Sequence, residues 1–330
     1  MYETKYHDKD LSQYSFLVTG GSGFIGSNIV AYLLKYGARK VRVLDSLITG
    51  HYENIRQFES HPAFEFMEGD ITFLDTCRKA CEGIDFISHQ AALGSVPRSI
   101  KDPARSNDTN VSGFLNMMIA AKDSQVKMFV FASSSSVYGD EKSLPKVESR
   151  IGNPLSPYAV TKLTNELYAK VFHATYGLRI IGLRYFNVFG PNQSPNGPYA
   201  AVIPLFVDKI LKREPAFING DGNQTRDFTF VENAIQANVR AMLTDNEAAV
   251  NQIFNIACGE NFSVNQMYQM IADLLRSDHQ PTYREPREGD IANSLADISK
   301  ARELLGYQPA FKFRDGLKIT VDYFLKKRQD

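Results

Sequence analysis

The sequence predicts an α/β fold built on a doubly wound parallel sheet. Short apolar runs alternate with amphipathic stretches through the first half of the chain, and a glycine-rich turn joins the first run to the first helical stretch. The chain is also long enough, at 330 residues, to bury the core such a sheet requires. Apolar residues make up 43% and charged residues 22%, near the averages of soluble globular chains, which excludes a disordered or fibrous protein.

The runs at 16–19, 41–44, 64–67, 85–88 and 128–132 read as buried strands, with helices between them at 25–36, 76–81 and 111–122. Strands alternating with helices form βαβ units with right-handed crossovers. A helix at 158–176 and a sixth strand at 179–183 continue the series. At Pro191 the texture changes, because PNQSPNGP is a dense cluster of turn formers. Beyond it, 202–211, 264–275 and 316–326 read as helices, and 252–257 as an apolar strand that returns to the first unit. The expected division is therefore 1–190, with a return strand near 251–258, and a smaller C-terminal α/β substrate domain over 191–330.

Lys plus Arg number 37 and Asp plus Glu 37. That balance gives no basic stripe for nucleic acid or an anionic membrane. Three cysteines cannot build a disulfide framework, and Cys77 and Cys81 lack partners at ligand spacing. They read as reduced packing residues, with no metal site expected. The first fifteen residues are polar, and no window approaches the ~20 apolar residues of a membrane span. A cytoplasmic protein is expected.

Gly20, Gly23 and Gly26 recur at every third position, directly after the first strand and into the first helix. A Cβ there would block the tight turn, the approach of backbone to a pyrophosphate, or helix–strand packing. The helix start at Phe24 and Ile25 offers N–H groups and partial positive charge to phosphates. Asp45 ends the second strand, 19 residues past Gly26. An acid in that place accepts from ribose hydroxyls and repels a 2′-phosphate. Ser46 and Leu47 follow, with no arginine, so this is a Rossmann-type fingerprint for NAD rather than NADP over residues 16–45. Asp70 and Ile71 follow strand three as an adenine contact would. Gln90, Ala91 and Ala92 follow strand four, where small residues let a cofactor lie close; His89 reads as a structural hydrogen-bonder.

Tyr158 and Lys162 stand four apart at the start of a helix, on one face. A phenol is a poor base at neutral pH, and an adjacent ammonium is expected to favour the phenolate. Ser134 lies at the carboxyl end of strand five, where hydroxyls face the ligand crevice of a parallel sheet. It can bond the same substrate oxygen that Tyr158 deprotonates.

In TGGSGFIG, HQAA, SSSSVYG, SPYAVTK and LRYFNVFGP, in that order, the chain resembles the extended short-chain dehydrogenase/reductases. Within them it is similar to the UDP-hexose 4-epimerases, from about residue 16 to the C-terminus. The resemblance implies Ser134, Tyr158 and Lys162 as catalysts, Tyr185 and Phe186 beside the nicotinamide, and Thr49, Gly50 and Thr109 among the cofactor contacts. Sister families that dehydrate nucleotide sugars carry an Asp–Glu pair where this chain has Ser135 and Ser136, so dehydration is disfavoured.

The resemblance further places the substrate nucleotide on Asn187, on Ala201, Val202 and Ile203, on Phe217, Ile218 and Asn219, on Arg226 and Arg287, and on Asp290. Gly94, Ser95 and Ser294 leave room beside the sugar C2 where relatives restricted to glucose and galactose are bulkier. The resemblance is accordingly strongest to UDP-N-acetylglucosamine 4-epimerases of surface-polysaccharide pathways, and UDP-glucose and UDP-galactose stay open as substrates. A UDP-hexuronic acid 4-epimerase, with Arg98 near C6, is the alternative. A non-catalytic NAD-binding regulator is a remote one, since both Tyr158 and Lys162 are present. The resemblance also implies a homodimer in which helices 111–122 and 158–176 pair as a four-helix bundle.

Overall fold

The computed structural model describes residues 1–195, 201–285 and 293–328. Seven strands form its central sheet. The first six are β1 (Ser15–Thr19), β2 (Lys40–Asp45), β3 (Phe64–Glu68), β4 (Phe86–His89), β5 (Met128–Ser134) and β6 (Ile180–Tyr185). Four short strands come next, β7 (Val188–Phe189), β8 (Phe217–Asn219), β9 (Thr225–Arg226) and β10 (Thr229–Phe230), before β11 (Ile253–Ile256) completes the sheet. The order is β11-β6-β5-β4-β1-β2-β3, with every pairing parallel. The return of 252–257 to the first sheet is therefore as expected.

Phe16, Leu17, Val18, Val41, Val43, Phe129, Val130 and Ile181 are fully buried. Parallel strands covered on both faces carry continuous apolar runs of this kind. The helices that cover them are α1 (Phe24–Lys35), α2 (Leu74–Cys81), the short α3 (Val96–Lys101) and α4 (Pro103–Asn107), α5 (Gly113–Asp123) and α6 (Pro157–Tyr176). In the second half come α7 (Val202–Lys212), α8 (Val231–Leu243), α9 (Val264–Leu274), α10 (Ser299–Leu305) and α11 (Phe313–Lys327). Leu17, Leu44, Ile87, Phe114, Met117 and Phe129 belong to a core with α2 and α5 on one side. On the other side Phe16, Val18, Ile29, Leu33, Ile235 and Val239 join the core of α1 and α8.

Local chemistry sets the ends of α6. Ser156 caps α6 by accepting from Ala159 N, Pro157 occupies its first turn, and Gly177 closes it at φ 68°. The stretch expected as a helix over 111–122 begins instead with one wide π turn at Asp108–Ser112, which places Asn110 inside the protein. β12 (Phe262–Ser263) pairs antiparallel with β9, and β13 (Thr282–Arg284) pairs parallel with β8. No described helix is long and apolar enough to cross a membrane. All three cysteines are unpaired and buried, and burial pushes each thiol up to about 12.

Candidate active site

The order of strands reverses between β1 and β4, and ligands of open α/β sheets bind outside the carboxyl ends at such a point. A cavity of about 660 Å³ opens there. Along one end lie Gly20, Gly23, Phe24, Ile25 and Gly26 at the start of α1, then Asp45, Ser46, Thr49 and Gly50 after β2. Asp70 and Ile71, Gln90, Ala91 and Ala92, and Thr109 continue the wall to Ser134, Tyr158, Lys162 and Tyr185. Of the residues expected at the cofactor, Phe186 and Leu47 fall outside this lining. The role of Leu47 is indirect, because Leu47 N donates to Asp45 Oδ1 at 2.9 Å.

The glycine turn has no room for side chains. Gly20 sits at φ +67°, where a Cβ would stand 2.7 Å from Ala91 N, and a Cβ on Gly26 would stand 2.2 Å from Gly20 O. Asp45 is buried, and its Oδ2 accepts from Ser22 N at 2.9 Å. Burial raises its carboxyl above the ordinary range, opposed by the bonds from Leu47 and Ser22. These residues fit a dinucleotide: a backbone cradle at a helix start for the diphosphate and an acid beside the ribose.

At the other end, β5 delivers Ser134 and α6 delivers Tyr158 and Lys162. Lys162 Nζ donates to Ala132 O at 2.8 Å and lies 5.9 Å from the Tyr158 ring centroid. Burial pulls the Lys162 ammonium down to about 8, with Glu166 opposing. Burial also raises the Tyr158 phenol above 10.0, opposed by a hydrogen bond with Ser134. In the protein alone desolvation dominates the Tyr158 phenol, whereas the lowered value expected of it is one that acts beside a positively charged nicotinamide.

Tyr158 N donates to Ser99 Oγ at 3.0 Å, tying α3 to the first turn of α6. Tyr185 OH accepts from Asn238 Nδ2 at 2.6 Å and donates to Gln90 Oε1 at 3.2 Å. Asn238 is a fully buried residue of α8 that the sequence reading missed. Beneath Lys162, the buried Glu166 pairs with Arg184 at 2.7 Å and accepts from Ser133 Oγ at 2.5 Å. His89 bonds Thr19 Oγ1 at 2.8 Å and is pulled down to about 3 by burial, which fits its structural reading.

The substrate residues are less uniformly gathered. Gly94, Asn187 and Ala201 line the cavity with Ser134 and Tyr158. Ser95, Ser135, Ser136, Val202, Ile203, Phe217, Ile218, Asn219, Arg226 and Ser294 are not brought to its wall. Ile203 and Ile218 point into the core, and Phe186 is fully buried against Tyr138 rather than lining the cavity. Phe217 is exposed and stacks under the Arg284 guanidinium at 5.1 Å. Ser294 is buried, its N–H donating to Thr225 O at 3.1 Å. Arg287 and Asp290 lie outside the described residues. Gln193 and Ser194, from the turn cluster, line the cavity without having been singled out.

The NAD dependent epimerase/dehydratase family model matches residues 16–257. The chain is 39% identical to a putative UDP-glucose 4-epimerase of Methanocaldococcus jannaschii, over 93% of this chain and 97% of that one. Among solved structures it is similar to the UDP-N-acetylglucosamine 4-epimerase of Methanobrevibacter ruminantium in complex with UDP-N-acetylmuramic acid. That match has 41% identity and TM-score 0.90, covering 95% and 99% of the two chains. It is also similar to the UDP-glucuronic acid 4-epimerase of Bacillus cereus in complex with UDP-glucuronic acid and NAD, at 34% identity and TM-score 0.88, covering 95% and 99%. With a cavity built for a dinucleotide and a match over most of its length, this chain belongs to the NAD-dependent epimerase/dehydratase family, with NAD as its cofactor.

Proposed function

We propose that the protein is a UDP-N-acetylglucosamine 4-epimerase that also accepts UDP-glucose and UDP-galactose. The observation that carries the reaction type is the distribution of acids. Among the described residues the carboxylates lining the cavity are Asp45 and Asp70, both at the end opposite Tyr158. Ser135 and Ser136 cannot shuttle a proton near neutral pH, so among the described residues no carboxylate pair stands beside Tyr158 to serve loss of water. Proton removal from a hydroxyl, by contrast, has Tyr158 and Ser134 together.

Tyr158 takes the proton of the sugar O4 while Ser134 bonds the same oxygen and Lys162, fixed by Ala132 O, stabilises the phenolate. Bound NAD supplies the acceptor, and then the donor, of the C4 hydride. The 4-keto sugar turns about its diphosphate linkage, and Tyr158 returns the proton after C4 has been approached from its other face. No net oxidation occurs. Asn187 and Ala201 at the cavity, with Arg226 from β9, hold the nucleotide, and the substrate part is drawn mainly from residues 191–330.

The N-acetyl group is supported by space. Gly94 lines the cavity, and a Cβ on it would meet nothing within 4 Å. The likeness to the Methanobrevibacter enzyme supports the same substrate. Two copies are expected to pair through α5 and α6, because Val160, Leu167 and Val171 form an exposed apolar stripe along α6. Incubation with UDP-N-acetylglucosamine, without added NAD, is expected to give the 4-epimer by NMR. Absence of that product with turnover of the uronate instead would replace the substrate assignment.

A further inference from the structure

Among the described residues, the tyrosines lining the cavity are Tyr158 and Tyr185. Tyr158 has a proton to move, whereas the Tyr185 hydroxyl is tied into a closed polar circuit with α8. Asn238, in that helix, donates from Nδ2 to Tyr185 OH at 2.6 Å. Tyr185 OH donates in turn to Gln90 Oε1 at 3.2 Å. Gln90 Nε2 donates to Asn238 Oδ1 at 3.1 Å and to Ser88 Oγ at 2.9 Å. Ser88 Oγ donates to Asn238 Oδ1 at 3.1 Å, and Ser88 and Asn238 are fully buried.

One carbonyl sets the direction of every proton in this circuit. The second N–H of Asn238 goes to Ala234 O at 2.8 Å, one turn back along α8. A carbonyl only accepts, so the Asn238 amide cannot be turned over. Its Oδ1 therefore calls for the Nε2 of Gln90, which leaves Gln90 Oε1 to receive the Tyr185 proton. Both N–H groups of each amide are engaged, and a buried network satisfied in this way is rigid. The circuit also spans three strands. Gln90 follows β4, Tyr185 ends β6, and β5 lies between them with Ser134 opposite Tyr185 in the ladder.

We infer that Asn238 is a positioning residue for the hydride end of the site. It holds Tyr185 and Gln90 as one fixed wall for the nicotinamide and keeps the Tyr185 proton out of the exchange that Tyr158 performs. The inference rests on the reading of the cavity as an NAD-dependent hydride site, and not on which UDP-sugar is turned over.

The test compares Asn238→Leu, Tyr185→Phe, the double variant and Gln236→Leu with wild type, all with NAD bound. Gln236 is another buried polar residue of α8, but its amide accepts from Gln308 N and does not line the cavity. Turnover of a UDP-hexose is measured beside the rate at which borohydride reduces the bound NAD, a reaction that needs no sugar. Asn238→Leu is expected to lower kcat about tenfold with little change in KM, and to speed reduction of a nicotinamide whose wall has loosened. Gln236→Leu is expected to melt earlier with both rates as in wild type. In the Tyr185→Phe background, Asn238→Leu should cost about threefold or less, because the hydroxyl it acts on is gone. If the leucine variant fails to fold, Asn238→Asp keeps the shape but offers at most one donor where Ala234 O and Tyr185 OH need two. The same changes are expected of it. An equal loss in both backgrounds, a loss matched by Gln236→Leu, or wild-type rates in both assays would overturn the inference. Should wild type turn over no UDP-hexose, the functional reading fails and the reduction rates alone decide the role of Asn238.

Discussion

The cofactor half and the substrate half of this molecule differ in how they are built. The residues proposed to meet NAD sit at the ends of neighbouring parallel strands, where the ladder between β1, β2 and β4 fixes their spacing. One cavity collects nearly all of them. The residues assigned to the nucleotide sugar come from short strand pairs and loops, β8 with β13 and β9 with β12, and most stand off the cavity wall. The hydride and proton machinery is thus set by sheet register, and sugar choice by segments that regular structure does not constrain. Loops carried on a rigid scaffold are where specificity commonly varies.

The sharpest way to break this comparison is to damage the chemistry and leave the cradle intact. Tyr158→Phe should lower kcat by about 10³-fold, within the range of a lost general base, with NAD content unchanged. Loss of NAD in that variant would show that the two ends of the cavity are not separable. Next in size is the buried pair under Lys162. Glu166→Gln leaves Arg184 without its carboxylate in a site where both partners are buried, and should cost about 3–5 kcal/mol in chemical unfolding.

A matched pair of glycines tests the cradle itself. Gly26→Ala forces a Cβ against Gly20 O and should destabilise by about 1–3 kcal/mol while weakening NAD binding. Gly94→Ala meets open space, and its melting temperature and NAD content should match wild type. On the substrate side, Ser294→Tyr is expected to abolish work on acetylated sugars while sparing UDP-galactose. Equal loss on both would refute the idea that this position gates C2.

A smaller effect concerns pH. Lys162 is pulled down to about 8 from 10.5 by burial, so folding disfavours its charged form. That burden is fully present below pH 8 and fades as pH rises from 8 toward 10.5. Lys162→Met should therefore raise the melting temperature of the NAD-free protein at pH 7 relative to wild type, with the difference shrinking above pH 8. A constant difference across that window would contradict the assignment.

Much of the first half was legible because its signals are local. An apolar run, a glycine turn and an amphipathic stretch announce β1, the cradle and α1 within some twenty residues. Helix α8 was not legible. Asn233, Gln236 and Asn238 interrupt its apolar pattern, yet all three are buried. They are satisfied by distant partners: Phe311 for Asn233, Gln308 for Gln236 and Tyr185 for Asn238. The polar N-terminal segment was unreadable for the same reason. Tyr2 and Tyr6 are buried on the core and both donate to Glu232, a contact no periodicity announces. In the site, Ser134, Tyr158 and Lys162 were legible from spacing. Asn238 behind Tyr185 and Ser99 behind Tyr158 were not, since each acts through a residue far away in sequence.

The central claim is that the C4 hydrogen leaves and returns within one cavity. Protein as purified, with no NAD added, would be given UDP-N-acetylglucosamine deuterated at C4, and the product examined by NMR and mass spectrometry. The account predicts a 4-epimer that keeps its deuterium at C4, formed over many turnovers per chain. Deuterium lost to solvent, or product formed only in proportion to added NAD, would contradict it.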